Sequence, residues 1–281
     1  GLVLWLAPLI DLAANGSAVL LANGSEVQVD SLVVAQTQAQ DRIWASRIED
    51  VNGFDGVSGF IRVQPGDGTS VRNLFRLGRL LYAAKDQSLW AISDTGAGEP
   101  VSWPIEMVSD VVGASGPNAI GVGDGFAVIC GRNGVFLFDG TSPVSISKEI
   151  DPTWRQVNWN YGHLIWCVVD RDEQTVYIGV PWSSGSPASE ITRVFTIDYS
   201  MGWEDGARNW SPWTVAAASC ALSLRSTGAR VPLFGGKTLN NVVYSLGVWG
   251  TALADAGTAI PYQYDTSLLS LPSVAVRHLF G

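Results

Sequence analysis

Apolar and polar positions alternate over short stretches along most of the chain, and these stretches come in pairs around turn residues. Residues 19–29 hold two apolar runs on either side of Asn23-Gly24. The design recurs in residues 80–92 around Asp86, 126–138 around Asn133-Gly134, 164–180 around Asp172 and 231–246 around Lys237. Paired runs of this kind predict antiparallel β-hairpins, and Asn-Gly between apolar runs is the strongest short-range signal for one. The turn centres lie 63, 47, 39 and 65 residues apart. Two of these spacings fall near the roughly 40–50 residues of a four-stranded propeller blade, and the longer gaps leave room for further strands. Each later hairpin carries an aromatic residue on its outgoing strand: Trp90, Phe136, Tyr177 and Tyr244.

No segment shows a helical stripe. Residues 31–45 come nearest, but they lack spaced large apolar residues and read as one helical turn or a linker. Repeated hairpins without connecting helices exclude a parallel α/β fold and leave a sandwich, a jelly roll or a propeller. Recurrence of one hairpin type favours an all-β propeller, because each blade buries its faces against neighbouring blades and identical patterning returns. The expectation is a single propeller-like domain over residues 1–281, of open blade number, with 1–41 as a connecting or edge segment. The chain starts without Met, and residues 274–280 read as a strand with no partner. It therefore reads as a segment of something longer.

Composition narrows the function. Hydrophobic residues make up 47% of the 281 and charged residues 15%, which excludes intrinsic disorder. Three cysteines cannot staple a chain this long. A formal net charge of −9 argues against a surface that grips nucleic-acid phosphates. The apolar run 1–10 is shorter than the roughly 20 residues of a membrane-spanning helix and follows no basic segment, so it reads as a buried strand. The Asn15-Gly-Ser and Asn23-Gly-Ser sequons read as turns.

Reactive groups are few. His163, at a predicted strand start, and His278 are the only imidazoles, and neither has a nucleophile or metal-ligand spacing beside it. Cys130, Cys167 and Cys220 lie in apolar strands, where a thiol acts as a small hydrophobe. The Gly-rich segment 121–125 looks like a phosphate loop, but a strand follows it instead of a helix, so it reads as a β-turn. Residues 170–173 place three carboxylates in one turn; without the glycine and distal glutamate of a calcium loop they read as a solvated hairpin tip. Segments 93–96 and 205–210 match the sialidase Asp-box only loosely. Trp203, Trp210 and Trp213 cluster in residues 202–213. Exposed, they would stack on sugar rings or a partner; wedged between blades, they would be structural, and the wedge is the simpler account. No catalytic residue, metal or cofactor is expected.

Several segments together resemble the β-propeller region of phage tail tubular (nozzle) proteins, the tail-tube subunits of short-tailed phages. They are residues 42–55, 63–82 running on into 85–90, 113–120, 131–140, 176–181, 195–199 and 210–213. The resemblance covers residues 42–215 and is one of order and spacing, with no catalytic signature. It implies a non-enzymatic virion structural protein that is assembled in the host cytoplasm and resides in the phage tail. Such a protein forms a ring of identical subunits around the DNA-exit channel. Its partners would be copies of itself and neighbouring tail or portal-adaptor proteins, with DNA as passing cargo and no membrane span. An acidic wall would repel phosphates and let a duplex slide. The alternatives are a host-surface glycan-binding propeller (an adhesin) using exposed Trp, and a propeller glycosidase, which needs two carboxylates about 5–10 Å apart in its central pocket.

Overall fold

The computed structural model describes residues 41–46, 59–94, 99–182, 188–200, 202–203, 209–213, 219–224, 230–235 and 243–245, with dipeptides 4–5, 19–20, 26–27, 254–255 and 258–259. Residues 31–40, 274–280, His278, Asn15, Asn23 and Lys237 lie outside them. The chain divides into two compact units, Gly1–Ser245 and Leu246–Gly281.

The architecture is all-β. In the first unit, β1 (Leu4–Trp5), β4 (Arg42–Ala45) and β5 (Phe60–Arg62) form a three-stranded sheet, and β2 (Val19–Leu20) pairs with β3 (Glu26–Val27) where the first hairpin is expected. The end of the linker-like segment 31–45 is thus a strand. Three antiparallel four-stranded meanders follow in chain order. The first is β6 (Val71–Leu77), β7 (Leu80–Lys85), β8 (Leu89–Ile92) and β9 (Ile105–Ser109). The second is β10 (Ile120–Val122), β11 (Ala127–Gly131), β12 (Gly134–Phe138) and β13 (Val144–Ser145). The third is β14 (Trp166–Asp170), β15 (Thr175–Val180), β16 (Arg193–Asp198) and β17 (Asn209–Trp213). A three-stranded meander of β18 (Ser219–Leu224), β19 (Arg230–Gly235) and β20 (Val243–Ser245) closes the unit. In the second unit β21 (Ala254–Asp255) pairs antiparallel with β22 (Thr258–Ala259).

The four hairpins expected after the first also form, and Trp90, Phe136, Tyr177 and Tyr244 each lie on the outgoing strand, β8, β12, β15 and β20. One turn is displaced. Gly131 pairs with Gly134, so β11 and β12 are joined by Arg132 and Asn133, and Gly134 opens the strand. The glycine answers to packing: its φ is +134°, and a Cβ there would come within 2.5 Å of Ser147 Oγ, which accepts the Val135 N–H at 2.9 Å. A short helix, α1 (Asp151–Trp154), and a 3-10 helix at Trp159–Leu164 connect the second and third meanders. Pro152 in the first turn of α1 suits a helix start, because its fixed φ and missing N–H cost nothing there.

The side-chain period of two explains how the meanders pack. In the first, Leu81 and Ala83 face a core with Ile43 of β4 and Ile61 of β5, whereas Tyr82 and Ala84 face the main core. There Tyr82 stacks on Phe75 at 5.3 Å and meets Phe138 of the second meander edge-on at 5.0 Å. In the third, Cys167, Val169, Val176 and Ile178 join that main core, while Trp166 and Tyr177 turn to Phe234 of β19. Inner strands are therefore apolar on both sides, and Ala127, Val128, Ile129 and Cys130 of β11 are all fully buried.

Lys85, at the end of β7, is also fully buried. Its ammonium donates to Asp67 Oδ1 at 2.5 Å and to the carbonyls of Val63 and Gln64 at 3.2 Å each, so all three protons are placed. The loop that wraps it is tightly bent, with positive φ at Gln64, Gly66 and Gly68. Burial pushes the Asp67 carboxyl up, but hydrogen bonds from Lys85 and Thr69 outweigh it and hold the group below its ordinary 3.8. A depressed carboxyl stabilises the fold above its unfolded value, and that contribution is lost as pH falls through the folded value. Asp67→Asn is expected to cost about 3 kcal/mol at pH 7, the penalty of stranding a buried charge. Urea midpoints should show the gap between wild type and variant narrowing below pH 3.8.

Candidate functional site

The first strands of the successive meanders, β6, β10, β14 and β18, are spatial neighbours in that order. Between β10 and β14 the approach is close. Asn118 bridges to Trp166, and the Asn118 carbonyl accepts the Cys167 N–H at 2.8 Å. A Cβ on Gly121 would sit 2.9 Å from both Cys167 Sγ and Val169 Cγ2, so only glycine lets the strands approach without a shift.

Where these strands converge lies an open cleft of about 680 Å3. Its wall is Arg72, Asn73, Leu74, Phe75 and Arg76 of β6, Pro117, Asn118, Ile120 and Val122 at β10, Trp166, Cys167 and Val168 of β14, and Ser219 and Cys220 of β18. Arg72 sits at the bulge between Val71 and Asn73 and pairs with Asp86 at 2.6 Å. Arg76 is exposed and donates Nε to the Gly78 carbonyl at 3.1 Å. The Asn73 amide donates to the Pro117 carbonyl. Among the described residues, no carboxylate is part of the wall. None of these residues stood out as a site on reading the sequence. A signal was present: Arg72, Arg76 and Arg79 fall within eight positions of a chain that has 17 Lys+Arg in 281.

The three tryptophans do not share a platform. Trp210 and Trp213 are three positions apart on β17, hence on opposite faces. Trp210 Nε1 donates to the Ile146 carbonyl beyond β13 at 3.2 Å, and its ring meets Phe195 edge-on. Trp213 packs against Tyr177 at 5.9 Å. Trp203 stacks on Tyr199 at 5.1 Å and meets Phe126 edge-on at 5.2 Å. All three are half-buried.

The other residues singled out in the sequence take structural places. His163 lies in the 3-10 helix and not at a strand start; it is exposed, with its ring 6.2 Å from Tyr161. Cys130, Cys167 and Cys220 are free thiols on β11, β14 and β18. Burial pushes Cys130 well up, reinforced by Cys167, and burial with Cys167 and Asp170 pushes Cys220 up to about 12. Both therefore stay protonated and unreactive at neutral pH. Segment 121–125 runs from the end of β10 into the expected turn, Gly123 N–H donating to the Phe126 carbonyl and Gly125 at φ +77°.

In the acidic turn 170–173 the tip is solvated as expected, with Asp172 and Glu173 exposed, but its first residue is not. Asp170 is fully buried, because its carboxylate folds inward to accept the N–H groups of Asp172 and Glu173 at 3.0 and 3.3 Å. Arg171 reaches across to Asp124 of the second meander at 2.6 Å. Thr95, Gly96, Asp205 and Gly206 of the Asp-box-like segments lie outside the described residues. Among the described residues no cluster of His, Cys, Asp and Glu is arranged to hold a metal ion. Nor is any helix long and apolar enough to cross a membrane.

No protein-family model matches the chain, and no curated protein matches it. The close contact at Gly121 yields a test of the packing around the cleft. Gly121→Ala should cost about 1–3 kcal/mol by overpacking. Adding Cys167→Ala should restore part of that loss, read from denaturant midpoints in a double-mutant cycle.

Proposed function

We propose that the chain is a structural subunit of a phage tail of the nozzle type, with a β-propeller body and no catalytic role. In this reading the meanders are blades and their first strands surround the propeller axis. The observation that carries it is the run of consecutive antiparallel meanders with first strands side by side. Each segment that carries the resemblance from residue 63 onward falls on or next to these meanders in order: residues 63–82 at β6 and β7, 113–120 leading into β10, 131–140 at β12, and 176–181, 195–199 and 210–213 at β15, β16 and β17. The wedge-like packing of Trp210 between the second and third meanders also supports blades that depend on their neighbours. A glycosidase reading gains nothing from the cleft, whose wall holds no carboxylate among the described residues.

In the proposed assembly, copies of the chain form a ring around the DNA-exit channel and contact neighbouring tail or portal-adaptor proteins. DNA passes through the ring's own channel, and the net charge of −9 disfavours its retention. Electron microscopy of the purified chain, alone and with tail extracts, is expected to show rings with an open channel. Gel-shift assays at physiological salt are expected to show no retained duplex. Monomers under all conditions, or tight salt-resistant retention of duplex, would overturn the proposal.

A further inference from the structure

The cleft where the first strands converge is a local exception to the charge of the chain. The molecule carries 26 acidic against 17 basic residues, yet among the described residues this wall carries two arginines and no carboxylate. Arg72 engages Asp86 through Nε and Nη2, which leaves Nη1 to donate. Arg76 spends only Nε on Gly78, which leaves both terminal nitrogens of its guanidinium. Asn118 and Ser219, both exposed on the same wall, add an amide and a hydroxyl donor. Donors from β6, β10 and β18 thus line one cleft together with the apolar Leu74, Ile120 and Val122. A volume of about 680 Å3 falls within the roughly 300–1,000 Å3 typical of small-molecule sites.

We propose that this cleft binds a small oxyanion, a compound bearing phosphate or carboxylate groups, with Arg76 as the principal ligand and Arg72, Asn118 and Ser219 as supporting donors. A guanidinium with two free nitrogens matches the paired oxygens of either group. Arg72 is held in place by Asp86, which offsets its charge, so it supplies a fixed Nη1 donor while Arg76 supplies the uncompensated charge. The assignment does not depend on the tail reading. The site is too small for a duplex, and its occupant would be a ligand or a regulator of assembly.

Isothermal titration of the full chain with pyrophosphate and, separately, with citrate tests it. Saturable binding of at least one probe is expected, weakening as salt is raised. Preference for pyrophosphate identifies a phosphate compound as the occupant, and preference for citrate a carboxylate. Arg76→Gln should weaken binding about tenfold or more, the effect of losing one charge-assisted pair, while its thermal midpoint stays near that of wild type. Arg132→Gln, at an exposed turn outside the cleft, should bind as wild type does. Absence of saturable binding by either probe, or equal loss in Arg76→Gln and Arg132→Gln, would overturn the proposal.

Discussion

A small antiparallel meander that is apolar on both faces cannot stand alone in water, and this constraint governs the whole first unit. The β11 strand is buried along its length because the first and third meanders cover its two sides. The same holds in the third meander, whose alternate residues serve two different neighbours: Cys167 and Ile178 the main core, Trp166 and Tyr177 the ring of Phe234. Stability is therefore shared between neighbours, as in repeat architectures, and a defect at one sheet-to-sheet contact is felt by both partners. Aromatic rings suit these contacts because they cover a large area and accept edge-on geometries, as Phe75, Tyr82 and Phe138 do.

Polar groups that cross between meanders fix how the sheets sit. Arg171 to Asp124 links two hairpin tips, Trp210 to Ile146 links an outer strand to the next sheet, and Asn118 joins β10 to β14 through the backbone. Lys85 does the same for the loop leading into β6, where a buried ammonium finds three acceptors in a bend that its own charge organises. Such pairs contribute little net energy compared with burial, since desolvation offsets most of the attraction. What they contribute is register. The cleft inherits its precision from that register, because its donors come from strands of different sheets.

The hairpins were legible in the sequence because they are local. Two apolar runs around a turn residue meet at low cost in loop closure, and five of them stand where the alternation put them. The aromatic residues on outgoing strands and the structural setting of the cysteines could be read for the same reason. Details that answer to distant neighbours could not. The turn at residues 131–134 shifts by one because Gly134 is needed against Ser147.

The sequence by itself determined the all-β class, the order of the hairpins and the scarcity of reactive side chains, since each follows from local periodicity or composition. Only the tertiary structure decided which faces meet, which neighbours Trp210 and Trp213 pack against, and that arginines line the cleft of an acidic chain. Residue types fix what a side chain can do within its own strand. Residues 72, 118, 166 and 219 line one cleft only once separate sheets have packed, because long-range burial, and no local preference, brings them to one place.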